Sequence, residues 1–128
     1  MPLITTVQDQ QWETWYDPAR GRLRWCLLAD GVDPTPESVT TGVAELADDG
    51  WLGRHRHTAP EVYYVLEGKA VVALDGEEVT VGAGALVRIP GDVEHGVRAL
   101  GGPVRVLFAF PTSAFDDVVY RFSVEVAA

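Results

Sequence analysis

The sequence predicts an all-β fold, a sandwich or a barrel built from many short strands. Apolar residues occur in short runs that are rich in Val, Leu, Tyr and Phe. Gly, Pro and Asp separate these runs, and such punctuation is typical of strands joined by turns. No stretch shows the sustained apolar periodicity of an amphipathic helix of useful length. These observations together favour strands over helices throughout the chain.

The predicted strands follow one another at regular spacing. They cover residues 23–28, 39–46, 61–66, 70–74, 77–81, 86–89 and 104–110. Asp75-Gly76 stands between the fourth and fifth of them, and this pair favours the tight hairpin turn whose twist matches the adjoining strands. Many short strands without a linker, a repeat or a low-complexity segment predict one domain over residues 1–128.

Composition excludes several classes of partner. The chain of 128 residues has 19 Asp and Glu against 10 Lys and Arg, a formal net charge of −9. This balance leaves no basic surface for a phosphate backbone, so we expect no nucleic-acid partner. No apolar run approaches the ~20 residues of a membrane span, and we expect no membrane partner.

The location of the protein is predicted from its cysteine content and its first residues. Cys26 is the single cysteine, which excludes an intramolecular disulfide and suits a reducing compartment. The first residues lack the charged and then apolar pattern of a signal peptide. We therefore expect a cytoplasmic protein in which Cys26 is a small buried apolar residue.

All three histidines lie in two short segments. His55 and His57 are two residues apart, so on a strand their imidazoles face the same side and can converge on one ion. Residues 58–60 end in proline and predict a turn that brings Glu61 back towards them. His95 must arrive from a neighbouring strand.

Three imidazoles and one carboxylate suit a divalent transition metal ion such as Mn, Fe, Co, Ni, Cu or Zn. The alternative is that the histidines are surface groups or satisfied core groups. We favour metal binding because every histidine of the chain stands at ligand spacing, with a glutamate between them. The predicted ligands are His55, His57, Glu61 and His95, and the identity of the ion stays open.

The two histidine segments resemble the motifs of the cupin superfamily, in its small single-domain form. Its first motif, at 53–68, runs His-x-His, three or four residues, Glu, six residues, Gly. The second motif, at 84–97, runs Gly, five residues, Pro, and His five positions on. The matching residues here are His55, His57, Glu61 and Gly68, then Gly84, Pro90 and His95. The resemblance implies a double-stranded β-helix, which is a jelly-roll barrel, and a homodimer to which region 1–30 contributes.

Three positions depart from the cupin pattern. Gly50 is one residue closer to His55 than the usual leading glycine. Asp92 stands where glycine is common, and Ala99 stands where asparagine is common. These departures concern turns and the surroundings of the ligands, so the prediction of a metal site is unchanged.

Strand alternation extends the prediction beyond the ligands. If Glu61 faces the interior, Tyr63 and Val65 face it too, while Val62 and Tyr64 face outwards. A phenol is a weak base at its ordinary pKa near 10, but a nearby divalent cation lowers that pKa. Tyr63 is therefore a candidate for removing a proton beside a carboxylate that the metal chelates. The alternative is an aromatic residue that fills the barrel interior.

A second resemblance concerns the C-terminal stretch 110–120 together with Arg24-Trp25 and the segment 61–63. These segments are similar to those of the small cupin lyases that cleave dimethylsulfoniopropionate to acrylate and dimethyl sulfide. In that family a tyrosine two residues past the ligand glutamate is the base, which matches Tyr63. A second tyrosine near the C-terminus lines the pocket, which matches Tyr120. The resemblance implies Tyr63 and Tyr120 as catalytic candidates, with simple packing as the alternative for Tyr120.

Other aromatic residues are interpreted as structural. We expect Trp12, Trp15 and Tyr16 to form a cluster that packs against the barrel or a dimer partner. Trp25 is expected in the core, where it could also wall the pocket.

The leading functional prediction is a metal-dependent lyase, or a related cyclase or isomerase, acting on a small carboxylate or carbonyl compound. With every histidine assigned to the ion, proton transfer falls to Tyr63, another tyrosine, Glu61 or metal-bound water. A metal-dependent dioxygenase is one alternative, and a non-catalytic small-molecule-binding protein is the other. The ligand set does not separate these activities, because many cupin activities share it.

Overall fold

The structure is a computed structural model that describes residues 2–30 and 38–124. Within these residues the chain forms eleven strands and two single-turn 3-10 helices, Val7–Asp9 and Phe115–Asp117. Neither helical turn in this part of the chain has the length and apolar character needed to cross a membrane. The strands are β1 Glu13–Asp17, β2 Gly21–Ala29, β3 Thr40–Leu46, β4 Trp51–Arg56, β5 Glu61–Glu67, β6 Lys69–Leu74, β7 Glu77–Gly82, β8 Leu86–Ile89, β9 His95–Ala99, β10 Val104–Phe110 and β11 Arg121–Phe122.

The strands form one curled antiparallel sheet. Its main path runs β7-β6-β9-β4-β2-β3-β10-β5-β8, while β1 pairs with β2 and β11 pairs with β4. Pairs such as β4 with β9 and β5 with β10 join strands that are distant in the sequence. This is the jelly-roll arrangement, and it confirms the predicted all-β fold.

The predicted strands agree with the observed ones within a residue or two at their ends. The segments 86–89 and 104–110 coincide with β8 and β10. Asp75 and Gly76 have φ angles of 52° and 83°, the positive values that the tight hairpin turn needs. Strands β1, β4, β9 and β11 are additional to the predicted ranges, although strands were expected to carry the histidines of β4 and β9. The five-residue β1 and the two-residue β11 leave little periodicity to detect.

Burial along β5 follows the predicted alternation. Glu61, Tyr63 and Val65 are between 2% and 5% exposed, whereas Tyr64 is 40% exposed. The core lies on the concave face of the curled sheet, and residues from β2, β3, β5, β6, β8, β9 and β10 fill it. Cys26 is fully buried, as expected for a small apolar residue.

The aromatic residues near the N-terminus do not form one cluster. Trp15 packs inside against Trp25, with ring centroids 5.7 Å apart. Tyr16 is 72% exposed and contacts Arg22, and Trp12 contacts Arg24. The expected cluster is therefore wrong as a unit, because alternation along β1 turns Trp15 and Tyr16 to opposite faces.

Candidate metal centre

The four predicted ligands meet on the concave face of the sheet. His55 lies near the end of β4 and His57 just after it, while Glu61 begins β5 and His95 begins β9. Each offers one ligand atom, and these atoms all lie within 4.8 Å of one another. All four side chains are buried, with at most 4% exposure. The structure thus assembles a buried group that could hold a metal ion.

A shift in strand register brings His95 to its place. Leu52 pairs with Val97 in the β4–β9 ladder, but after a one-residue shift His55 pairs with His95. Without the shift, the same ladder would place His55 opposite Glu94. Irregularities of this kind re-aim side chains and are frequent beside active sites.

Hydrogen bonds to the backbone fix the orientation of all three imidazoles. The Nδ1 atoms of His55, His57 and His95 lie 2.7 to 2.8 Å from the carbonyl oxygens of Gly53, Ala59 and Val93. A carbonyl oxygen only accepts, so each Nδ1 carries the proton and donates it. In a neutral imidazole the Nε2 atom then has a free lone pair, as a metal ligand requires.

The Nε2 lone pairs face the ionised carboxylate of Glu61, which is also a hydrogen-bond acceptor without a donor. The Nε2 atoms of His57 and His95 lie 3.2 and 3.3 Å from Glu61 Oε1, and the Nε2 atom of His55 is buried without a hydrogen-bond partner. Facing acceptors at this distance repel unless a cation lies among them. The donor set therefore fits a divalent transition metal ion.

The electrostatics of His55 favour its neutral form. Burial and the neighbouring His95 imidazole lower the pKa of His55 to about 3, and the hydrogen bond with Gly53 opposes this only in part. His55 is consequently uncharged near neutral pH. A neutral imidazole is the form that binds a metal ion.

The departure at Asp92 has a structural reason. Asp92 has a φ angle of 64°, in the left-handed region where glycine is the commonest residue and aspartate is tolerated. Its N–H donates to the carbonyl oxygen of His57 at 2.8 Å, and its carboxylate pairs with Arg121. The aspartate thus keeps the turn beside the ligands and adds a contact to the C-terminal segment.

A small cavity adjoins the ligands inside the barrel. The space that the centre of a water molecule can occupy inside it is about 40 Å³, and the empty space counted out to its mouth, open solvent included, is about 500 Å³. Apart from Glu61, the side chains around it are aliphatic or aromatic. The lining residues are Trp15, Leu23, Trp25, Ala44, Leu46, Leu52, Glu61, Tyr63, Val97, Val106, Phe108, Phe115 and Tyr120. A cavity of this kind suits a small molecule that has one end near the ligands.

Both candidate tyrosines line this cavity. The ring of Tyr120 stacks on His55 at 4.9 Å, and the ring of Tyr63 lies 6.1 Å from that of His95. The Tyr63 hydroxyl is buried without a hydrogen-bond partner among the described residues. Burial and the Glu61 carboxylate raise the pKa of both phenols well above its ordinary value near 10, and Tyr120 adds to the effect on Tyr63.

The C-terminal segment contributes more to the site than its sequence indicates. Strand β11 pairs with β4 so that Phe122 lies opposite His55, and this pairing brings Tyr120 onto the imidazole. Phe115 packs at 4.9 Å against Trp25, which confirms Trp25 as a wall of the cavity. Phe115 and Phe122 are not among the residues predicted for the site from the sequence. The only available signal was the density of aromatic residues in 110–122.

Comparisons with known proteins agree with this geometry. The family model described as Cupin domain matches residues 42–110. The dimethylsulfoniopropionate lyase DddW of Ruegeria pomeroyi is 38% identical over 107 residues, which cover 84% of this chain and 70% of that protein.

Solved structures share the fold at low sequence identity. The polyketide cyclase RemF from Streptomyces resistomycificus superimposes with a TM-score of 0.79 at 23% identity, covering 98% of this chain and 88% of that one. A chain from a study of the dimethylsulfoniopropionate lyases RdDddP and RnDddQII gives a TM-score of 0.73 at 22% identity, covering 90% of this chain and 63% of that one.

These findings confirm both resemblances noted in the sequence. The matched family segment begins in β3 and ends with β10, so it contains all four candidate ligands. The relative at 38% identity is named as a lyase for a small molecule, dimethylsulfoniopropionate. The chain belongs to the cupin family.

Proposed function

We propose that the protein is a metal-dependent lyase for a small carboxylate substrate, with Tyr63 as the general base. The observation that carries this proposal is the position of the Tyr63 phenol. It is buried, unpaired among the described residues, and on the same inward face of β5 as Glu61. Dimethylsulfoniopropionate is the first substrate to test, because it is the substrate in the name of the relative at 38% identity.

His55, His57, Glu61 and His95 would hold the ion. Bound there, a divalent ion supplies Lewis acidity that holds the substrate carboxylate and makes the adjacent C–H more acidic. The Tyr63 oxygen takes the proton from the carbon next to the carboxylate. The electrons of that C–H bond form the carbon–carbon double bond, and the carbon–sulfur bond breaks with its pair on sulfur. The products are acrylate, dimethyl sulfide and a proton, which Tyr63 later releases to water.

Tyr63 needs a cation beside it to act in this way. Without one, burial and the Glu61 carboxylate keep the pKa of the phenol well above its ordinary value. A divalent cation at the four ligands acts in the opposite direction and stabilises the phenolate. We propose Tyr120, which stacks on His55, as a second catalytic candidate that contacts the substrate in the same cavity.

The test compares two adjacent tyrosines that face opposite ways. Tyr63→Phe is expected to lower kcat for the release of dimethyl sulfide by about a hundredfold or more, as loss of a general base does. Tyr64→Phe, on the outer face, is expected to leave kcat unchanged. Gas chromatography measures the product, and elemental analysis verifies equal metal content. If Tyr63→Phe keeps full activity and Tyr120→Phe loses it, the general base is Tyr120 and not Tyr63.

The same assay separates elimination from the alternatives. Elimination needs no oxidant, so turnover without oxygen should equal turnover in air. Dependence on oxygen would instead identify a dioxygenase. A small carboxylate that binds without turnover of any candidate would favour a non-catalytic binding protein. Product formation from a ring-closing or isomerising substrate alone would favour a cyclase or isomerase.

The predicted assembly and location stay predictions. We propose a homodimer to which residues 1–30 contribute, and we expect it in the cytoplasm. Sedimentation of the intact chain measures the oligomeric state. A monomer across the micromolar concentration range contradicts the dimer.

A further inference from the structure

We propose that residues 119–124, the C-terminal strap, have to leave β4 before an ion or a small molecule can enter or leave the site. The strap carries Tyr120, so its closed position brings this phenol to a bound substrate and its open position removes it. The proposal concerns access to the four candidate ligands and holds whichever reaction takes place there, so it goes beyond the proposed function.

The enclosed part of the cavity is too small to hold the proposed substrate whole. The centre of a water molecule can occupy about 40 Å³ inside it. One water needs roughly 10 to 15 Å³ of such space, so the cavity holds about three or four waters. A propionate skeleton with a leaving group has more non-hydrogen atoms than that. The candidate ligands are also buried, with at most 4% exposure. Enclosing such a molecule against them therefore requires part of the wall to move.

The strap is the part of the wall that is least tied to the sheet. All lining residues except Phe115 and Tyr120 lie on strands β1 to β5, β9 or β10, where ladders hold them. The strap pairs with β4 through two residues, Arg121 and Phe122. A stretch with so short a ladder can detach while the rest of the sheet stays paired.

The contacts of the C-terminal segment change from buried to exposed along its length. Before the strap, the hydroxyl of the fully buried Thr40 donates to the Thr112 carbonyl oxygen at 2.9 Å. Val118, the residue just before the strap, is 6% exposed and belongs to the core. Within the strap, Arg121 pairs with Asp92, and both side chains are more than half exposed. Exposed ion pairs contribute little to stability, so the strap can swing about the buried Val118 at low cost.

Two aromatic rings of the strap cover one candidate ligand. The ring centroids of Tyr120 and Phe122 lie 4.9 and 5.4 Å from that of His55. They also stack on each other at 5.8 Å. Opening the strap lifts both rings from the imidazole and exposes that edge of the ligand group to solvent. Closing it buries the imidazole again.

A reversible cross-link tests the proposal within one protein. Arg56 and Arg121 are cross-strand partners, and both are exposed. Cross-strand partners have Cα atoms close enough for a disulfide to join them. In the double variant Arg56→Cys with Arg121→Cys, the oxidised form locks the strap to β4. The reduced form leaves the strap free and lacks the ion pair of Arg121 with Asp92. The native Cys26 is fully buried.

Release of bound Zn²⁺ to excess chelator, followed by stopped flow, measures opening. We expect the oxidised form to release the ion at least about tenfold more slowly than the unaltered protein. The reduced form and Arg121→Gln should release it about two- to fivefold faster, because the ion pair is lost. Arg22→Gln, which removes another exposed ion pair, is the matched control and should leave the rate unchanged. Equal release from the oxidised and reduced forms would overturn the proposal, since rotation of side chains would then suffice for access.

Hydrogen exchange in the metal-free protein measures the strap without an ion. The N–H of Ser123 donates to the Arg54 carbonyl oxygen at 2.9 Å, so its exchange reports detachment from β4. It should exchange well before the amides of the central strand β10, and Arg121→Gln should accelerate it alone. Exchange of Ser123 at the rate of β10 would mean that the strap leaves only when the whole fold opens, and the proposal would be wrong.

The outcomes separate this proposal from the proposed function. Cleavage of dimethylsulfoniopropionate together with equal Zn²⁺ release from the oxidised and reduced forms defeats the strap alone. A strap that controls release in a protein without lyase activity defeats the proposed lyase alone.

Discussion

Each of the three histidines has one ring nitrogen bonded to a backbone carbonyl two residues away. For His55 and His95 the carbonyl precedes the histidine, at Gly53 and Val93, and for His57 it follows, at Ala59. These short local contacts fix the tautomer of each imidazole. The chemistry of the site is therefore set residue by residue, and it is sensitive to single substitutions.

Loss of one imidazole should abolish stable metal binding. His57→Ala leaves two imidazoles and a carboxylate, and we expect the affinity for the ion to fall by roughly a hundredfold or more. Arg54→Ala, an exposed neighbour on β4, should bind metal as the unaltered protein does. Elemental analysis after dialysis measures both. Stoichiometric metal in His57→Ala would exclude His57 as a ligand.

The stability of the metal-free protein should fall as the pH drops below about 6.5. His55 titrates near 6.5 when unfolded and near 3 when folded, because burial disfavours its charged form. Between these values the unfolded chain binds the additional proton, so acid favours unfolding. Between pH 6.5 and about 3 this group should cost on the order of 1 kcal/mol of stability for each pH unit, with its full contribution present above 6.5. Denaturant unfolding at several pH values, compared with His55→Gln, measures the slope. The same slope in both proteins would contradict the assignment.

At the scale of elements, the close approach of β4 to the chain at Ala19 controls where His55 lies. A Cβ atom on Gly53 would come within 1.9 Å of the Ala19 carbonyl oxygen. Gly53 also donates its N–H to Arg20 and supplies the carbonyl that orients His55. The first half of β4 thus has to lie against the turn before β2 for the imidazole to reach the other ligands.

Gly53→Ala should therefore weaken folding and metal binding together. We expect a loss of about 1 to 3 kcal/mol in the free energy of unfolding, because the backbone has to move to admit the methyl group. Gly82→Ala is the matched control, since its Cβ would meet nothing closer than 3.9 Å. Thermal unfolding and metal titration measure the two effects. Unchanged metal affinity in a destabilised Gly53→Ala would show that β4 adjusts without moving His55.

The C-terminal segment behaves as an element of the site. The N–H of Phe115 donates to the Asp30 carboxylate at 2.7 Å, and the N–H of Ser123 donates to the Arg54 carbonyl at 2.9 Å. These two bonds hold the segment to the ends of β2 and β4. They hold Tyr120 with its ring 4.9 Å from that of His55 and 6.0 Å from that of Phe115.

At the scale of the whole molecule, a metal ion bound at the buried candidate site would link metal binding to stability. The four ligand groups come from β4, β5 and β9 and the turn after β4, so they lie together only in the folded chain. An ion that binds only the folded state stabilises it by mass action. The same ion removes the repulsion between the lone pairs of the imidazoles and the carboxylate.

Adding the ion at a hundredfold excess over its Kd should stabilise the protein by about 2.7 kcal/mol. For a chain of this length this corresponds to a rise in Tm on the order of 10 °C. Differential scanning calorimetry with and without a chelator measures the difference, and at the same metal concentration His57→Ala should show only a small fraction of it. An unchanged Tm on removal of the metal would contradict the proposed centre.

Much of this arrangement is predictable from local patterns. Alternation places His55 with His57, and Glu61 with Tyr63, on one face of a strand, because side chains on a strand alternate between its faces. The turn at Asp75-Gly76 follows from the backbone preferences of two residues. Patterns of this kind predicted the β fold and the ligand set, and the cupin motifs agree with both.

The tertiary structure decided what depends on contacts between distant segments. The one-residue register shift that sets His55 opposite His95 belongs to a ladder between strands about forty residues apart. The contact of Tyr120 with His55 depends on the two-residue strand β11, which is too short to be predicted from its sequence. The ring contacts among Trp15, Trp25 and Phe115 join three separate segments. Trp15 and Tyr16 lie on opposite faces of β1, a strand that the sequence did not predict. The sequence by itself determined the candidate ligands and the strand faces on which they lie, because strand geometry is local. Only packing of the whole sheet decided the cavity, because pairing between distant strands depends on all of them at once.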